Sequence, residues 1–130
     1  MRFADTSFWI ALAAARDRHH GDAGVLWERQ TAPIVVTNHV AGETWTFLRR
    51  RAGHAAAMAA RAVLTSNEVR LVHVDPKQEE EAWRWLARHD ERAYSFVDAT
   101  SFVTMRRMRI REALAFDGDF SAAGFIEARV

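Results

Sequence analysis

Apolar residues in this chain fall into short clusters that alternate between strand-like and helix-like spacing. Arg2-Phe3-Ala4 is a brief apolar start that meets Asp5-Thr6-Ser7, and Phe8 to Ala13 continue as good helix formers. The pattern predicts a strand, a turn at Asp5, and a helix with Thr6 or Ser7 near its N-terminus. Asp17 to Gly24 is polar, contains His19-His20, and reads as a solvated loop leading into a second short helix through Val25, Leu26 and Trp27. Thr31-Ala32-Pro33 is a break, and Ile34-Val35-Val36-Thr37 has the β-branched composition of a short buried strand. Asn38 is the expected N-cap of the next helix, whose inward face holds Val40, Thr44, Phe47 and Leu48 and which closes on Arg49-Arg50-Arg51. Gly53 separates it from an alanine-rich helix, His54 to about Ser66.

Val69 to Val74 reads as a third strand. Asp75-Pro76-Lys77-Gln78 is a helix start, with an acid at the cap, proline at the first position and glutamine three residues after the cap. Glu79-Glu80-Glu81 is expected on the solvated side of that helix, and His89 to Tyr94 as a polar connection. Ser95 then caps a last long helix with Asp98 at the capping-box position, and Phe96, Val97, Phe102, Val103, Met105 and Met108 form its apolar flank. That helix gives way near Arg111 to a strand, Ala113 to Phe116, which ends on Asp117-Gly118-Asp119. Phe125-Ile126 leaves room for a short edge strand. The order β-α-α-β-α-α-β-α-α-β, with a terminal strand, predicts an α/β domain over residues 1–130. Its parallel sheet is covered on both faces and joined by right-handed crossovers.

Composition narrows the chemistry. With 130 residues, 49% hydrophobic and 27% charged, the chain is long enough for one well-packed domain. It has no cysteine, which excludes disulfides, thiolate metal sites and a cysteine nucleophile, and fits a reducing cytoplasm. Its apolar runs are too short to span a bilayer, and the N-terminus lacks a signal-peptide layout. The net charge of +1 selects no partner. Lys77 is the only lysine, which excludes P-loop phosphate binding and Schiff-base chemistry. The arginine bias suits phosphate contacts and follows equally from GC-rich coding. The adjacent histidines do not share a helix face, and no third ligand has suitable spacing.

Four carboxylates fall on the C-terminal edge of the predicted sheet, where open α/β folds bind ligands. Asp5 ends the first strand, Glu43 follows the second by a turn or two of helix, Asp98 opens the last long helix, and Asp117 ends the fourth strand. Each alone reads as a cap or a surface charge. Together they repel one another and call for a cation. An all-oxygen set selects a hard ion, Mg²⁺ or Mn²⁺, able to activate water and to neutralise charge on a phosphodiester.

Asp5-Thr6-Ser7, Glu43, the block YSFVDATSF around Asp98, and ALAFDGDF followed by AAGF resemble the PIN-domain nucleases over essentially the whole chain. Within them the resemblance is to the VapC-type toxins of bacterial toxin–antitoxin pairs. The resemblance implies a three-layer fold with a central parallel sheet of about four to five strands. It implies a metal-dependent endoribonuclease with Asp5, Glu43, Asp98 and Asp117 as its four acids. Thr6 or Ser7 would support the first acid, and Ser101 lies one turn from Asp98. It also implies a homodimer and a small antitoxin that covers the active site. Many relatives have histidine at the position of Asp119, so a ligand role for Asp119 stays open. The favoured reading is that Gly118 turns the chain and Asp119 caps Phe120 to Ala123. Three alternatives remain. A catalytically silent nucleic-acid-binding module is disfavoured by the presence of all four acids. A receiver-like phosphoacceptor would need a lysine at the site. A haloacid-dehalogenase-like phosphatase would need a second aspartate in place of Ser7.

Overall fold

The computed structural model describes residues 1–130. The elements are β1 (Arg2–Ala4), α1 (Thr6–Ala13), α2 (His20–Glu28), β2 (Ile34–Thr37), α3 (Asn38–Ala52), α4 (His54–Leu64), β3 (Val69–Val72), α5 (Pro76–Arg88), α6 (Phe96–Arg107), β4 (Glu112–Leu114), α7 (Asp119–Ala122) and β5 (Ile126–Glu127). The five strands form one sheet in the order β3-β2-β1-β4-β5, and every pairing is parallel. Right-handed crossovers place α1 to α4 on one face of this sheet and α5 to α7 on the other. No helix is long and apolar enough to cross a membrane.

Chain direction across the sheet reverses at β1. From β1 the chain moves outward through β2 to β3, then returns to lay β4 on the opposite side of β1. The loops after β1 and β4 therefore diverge onto opposite faces and leave a crevice between them, the place where parallel α/β sheets bind ligands. Register brings the two strand ends level: Ala4 pairs with Leu114, and the Asp5 amide donates to the Leu114 carbonyl at 3.0 Å.

Strand side chains Phe3, Ala4, Ile34, Val35, Val36, Ala113 and Leu114 are buried, as parallel strands covered on both faces require. Around Phe102 on α6, Trp85, Tyr94, Phe120 and Phe125 pack with ring centroids 4.9–5.6 Å away. This aromatic cluster fastens α5, α6 and α7 together. Helix α6 is buried for eight consecutive residues, Asp98 to Met105, rather than along one flank. Its polar members survive burial because each hydroxyl donates to a carbonyl one turn back. Thr100 and Ser101 both bond Val97, and Thr104 bonds Thr100, all at 2.9 Å.

Several local readings shift. Asp5 itself caps α1, so Thr6 and Ser7 are its first helical residues. Thr37 caps α3 through the Val40 amide, and Asn38 instead accepts from the Val74 amide at 2.9 Å, tying the end of β3 to α3. Phe47 lies 36% exposed while Val40, Thr44 and Leu48 bury, because α3 turns too narrow a face to the core for all four. Helix α6 stops at Arg107, and Arg109 takes a left-handed φ of 58°. Strand β4 is Glu112–Leu114, since its pairing with β1 runs out where β1 gives way to Asp5. His19-His20 is not a solvated loop. His20 begins α2 with Nδ1 2.8 Å from the Ala11 carbonyl, and the His19 ring stacks on Phe116 at 4.4 Å. The acidic run on α5 lies on the solvated side as expected, and its members are paired there: Glu79 faces His39, Glu80 reaches Arg84 one turn on, and Glu81 pairs with Arg107 across to α6.

Candidate active site

Asp5 is delivered by the end of β1 and held by its own cap. Its Oδ2 accepts from the Ser7 amide at 3.3 Å and from the Ser7 hydroxyl at 3.0 Å. The same hydroxyl accepts from the Phe116 amide at 3.1 Å. Ser7 thus ties the first acid to the segment that carries the fourth. Asp98 is fixed by a capping box: the Ser95 hydroxyl accepts from the Asp98 amide at 3.0 Å, and Asp98 Oδ2 accepts from the Ser95 amide at 2.9 Å. That spends one carboxylate oxygen and leaves the other for a ligand.

Asp5 and Asp98 are 3% and 8% exposed, a severe environment for two like charges. Burial, and after it the charges of Asp117 and Asp98, push the Asp5 carboxyl up to about 8 despite the opposing Ser7 bonds. Burial likewise lifts Asp98 to about 6, with Asp119 and Asp117 adding to the rise and the Ser95 bonds opposing it. Asp117 is also raised, chiefly by desolvation, with the charges of Asp119 and Glu127 adding to the rise. Asp5, Asp98 and Asp117 therefore share one field. Glu43 is exposed on α3. The Thr6 hydroxyl donates to its Oε1 at 2.6 Å, which brings the helix after β2 to the helix after β1.

The donor set suits a hard divalent cation: carboxylate oxygens only, partly desolvated, mutually repelling. In this arrangement no three of the chain's acids or histidines stand close enough together to hold an ion by themselves, so a cation here would be bound partly through its own waters.

The structure thus gathers Asp5, Asp98 and Asp117, with Glu43 joined to Asp5's helix through Thr6. Ser7 supports Asp5, whereas Thr6 is spent on Glu43. The buried Ser101 hydroxyl donates to the Val97 carbonyl and bonds none of the four acids. Asp119 provides no side-chain cap for α7; Gly118, at φ 82°, occupies the cap position and Asp119 pairs with Arg92 at 2.6 Å. Arg92 lies in the segment read as a polar connection, and nothing in its local pattern distinguishes it from its exposed neighbours. His39 and the His19–Phe116 stack also border this edge, brought there by packing between elements distant in sequence. Glu43 lines an open groove of about 600 Å³ with His39, Phe47, Arg50 and Arg51.

Comparison with known proteins agrees with this geometry. The PIN domain family model matches residues 2–126. The 23S rRNA-specific endonuclease VapC20 of Mycobacterium tuberculosis, in strain CDC 1551 / Oshkosh and in strain ATCC 25618 / H37Rv, is 59% identical over 129 residues. The match spans 99% of this chain and 98% of the relative. The crystal structure of M. tuberculosis VapC20, described as a sarcin–ricin loop cleaving toxin, superposes with a TM-score of 0.97 at 58% identity and covers 100% of both chains. With the family model spanning nearly its whole length and the acids gathered at the switch point of the sheet, this chain belongs to the PIN-domain family, within its VapC group.

Proposed function

We propose that this chain is a divalent-metal-dependent endoribonuclease, the toxin of a toxin–antitoxin pair, and that its substrate is the sarcin–ricin loop of 23S ribosomal RNA. The observation that carries the reading is the shared electrostatic field of Asp5, Asp98 and Asp117 at the crevice beside β1. The substrate follows from the similarity to VapC20 over its full length. Mg²⁺ is the expected ion and Mn²⁺ a substitute. Asp5, Asp98 and Asp117 would hold it, directly or through its waters. When bound, it supplies Lewis-acid stabilisation of the charge that builds on the phosphoryl oxygens and makes a bound water more acidic.

The chain's own residues do the rest. Glu43, held at one oxygen by Thr6, keeps its second oxygen free to orient a water and accept its proton. The water oxygen bonds to phosphorus, the bond from phosphorus to one flanking ribose oxygen breaks, and the departing oxygen takes a proton from solvent. Arg50 and Arg51, on the groove that Glu43 lines, bind neighbouring phosphates. Ser7 and Ser95 hold Asp5 and Asp98 in fixed directions, so the acids do not reorganise as charge develops. The protein acts in the cytoplasm as a homodimer, and a small antitoxin restrains it by covering the acidic edge.

The test is incubation of purified protein with an oligonucleotide containing the sarcin–ricin loop and with tRNA and mRNA pools, in Mg²⁺ and in EDTA, with mapping of new ends. A single cut in the loop, present with Mg²⁺ and absent with EDTA, is expected. Full cleavage in excess EDTA overturns the metal mechanism, and cleavage confined to the other pools overturns the substrate.

A further inference from the structure

Among the site acids, Asp117 alone lies neither in a helix or strand nor at a helix cap. Asp5 caps α1, Asp98 lies in the first turn of α6 and Glu43 within α3, but β4 ends at Leu114 and α7 begins at Asp119. Something else must hold this turn. On one side the Ser7 hydroxyl accepts from the Phe116 amide. On the other side stands Arg92, from the connection between α5 and α6. Its Nε donates to Asp119 Oδ1 at 2.6 Å, and its Nη2 donates to the Asp117 carbonyl at 3.1 Å.

One guanidinium thus spans both ends of the turn. Between them Gly118 adopts φ 82°, and a Cβ built there would lie 3.2 Å from Arg92 Nη2. Glycine serves both needs, a left-handed conformation and close approach to the arginine. Inside the turn, the Asp119 amide donates to Asp117 Oδ1 at 3.1 Å. Contacts therefore run from Arg92 through Asp119 to the Asp117 carboxylate.

We propose that Arg92 is a positioning residue: it clamps the Asp117-Gly118-Asp119 turn and, through the Asp119 amide, sets the direction in which Asp117 faces the acidic site. Asp119 anchors this clamp and is not a metal ligand. An arginine is needed because its rigid fork reaches a carboxylate and a carbonyl together, where an ammonium acts as a point charge. The pair is 42% and 20% exposed at its two side chains, and exposed ion pairs contribute little to stability. Its value lies in placement. For RNA cleavage the proposal rests on the ribonuclease reading; for metal binding it does not.

The test compares wild type with Arg92→Ala, Arg92→Lys, Asp119→Asn and the double variant Arg92→Ala/Asp119→Asn. Mn²⁺ affinity is measured by paramagnetic resonance without RNA, alongside single-turnover cleavage, KM and thermal melts. Arg92→Ala should weaken Mn²⁺ binding and slow cleavage at saturating RNA by about ten-fold or more each, since a misplacement of about 1 Å can reduce a rate by about 10²-fold. KM should stay within about two-fold and the melting temperature within a few degrees, as for other exposed ion pairs. Arg92→Lys should recover part of both losses. The double variant should be no worse than the poorer single, because the two residues act through one contact. Unchanged Mn²⁺ affinity in Arg92→Ala overturns the clamp, and a raised KM with unchanged rate makes Arg92 a phosphate contact instead. If Arg92→Ala does not fold, Asp119→Asn reads the same loss, and wild-type Mn²⁺ affinity there overturns the clamp equally. A wild type that cuts no RNA overturns the ribonuclease reading, while the Mn²⁺ series still decides the clamp.

Discussion

Replacing Asp5 by asparagine is expected to stabilise the metal-free protein while destroying its activity. Asp5 is almost wholly buried, and burial followed by the charges of Asp117 and Asp98 lifts its pKa to about 8. In the unfolded chain an aspartate titrates near about 3.9. A folded-state pKa above the unfolded value means that the stability Asp5 contributes is fully present below about pH 4. It is lost as pH rises towards 8. At pH 7 the loss spans roughly three units at about 1.4 kcal/mol each, hence on the order of 4 kcal/mol. Asparagine keeps the shape, is as good an N-cap for α1 and can offer its one oxygen to both Ser7 bonds, but it replaces the other carboxylate oxygen by an amide group, a loss of about 1 kcal/mol. Net stabilisation of about 3 kcal/mol at pH 7 corresponds to a rise of roughly 10 °C in melting temperature for a domain of this size. Below pH 4 the order should reverse. Thermal melts of both proteins in EDTA from pH 4 to 8 measure this. Mn²⁺ should then stabilise wild type increasingly as pH rises and leave the variant nearly unmoved. A variant less stable than wild type at pH 7 in EDTA, or two parallel pH profiles, would refute the reasoning.

Metal binding should weaken as pH falls from 8 towards 4, because Asp5, lifted to about 8, and Asp98, lifted to about 6, must give up their protons to bind; calorimetric titration with Mn²⁺ checks this. Asp117→Asn should lower single-turnover cleavage much more than Asp119→Asn with both proteins folded, and equal losses would place Asp119 among the ligands. Thr6→Val should release Glu43, slowing cleavage by roughly ten-fold and costing about 1 kcal/mol of stability, with Thr6→Ser restoring most of both. Expression alone should arrest growth, and co-expression of the small protein encoded beside it should relieve the arrest; harmless high-level expression of active protein would contradict the toxin role.

What the sequence determined by itself is the set of elements and the edge on which the acids lie. The order of strands and helices, the capping box of Asp75 and Gln78, that of Ser95 and Asp98, and the carboxylates at Asp5 and Asp117 are local signals, complete within a few residues. In a parallel sheet with right-handed connections, such signals suffice to send residues after each strand to a common edge. What only the tertiary structure decided are the pairings across that edge. Thr6 with Glu43, Ser7 with Phe116 and Arg92 with the Asp117 turn join residues 37, 109 and 25–27 positions apart, and no local pattern selects one hydroxyl or arginine over its neighbours. The burial of α6 on all sides was hidden for a related reason. Its threonines and serine look solvent-facing by type, and only the carbonyls one turn back make them fit for the interior. The raised pKa values of Asp5 and Asp98 belong to the same class, since desolvation depends on what packs around a carboxylate and not on the residues beside it in the chain.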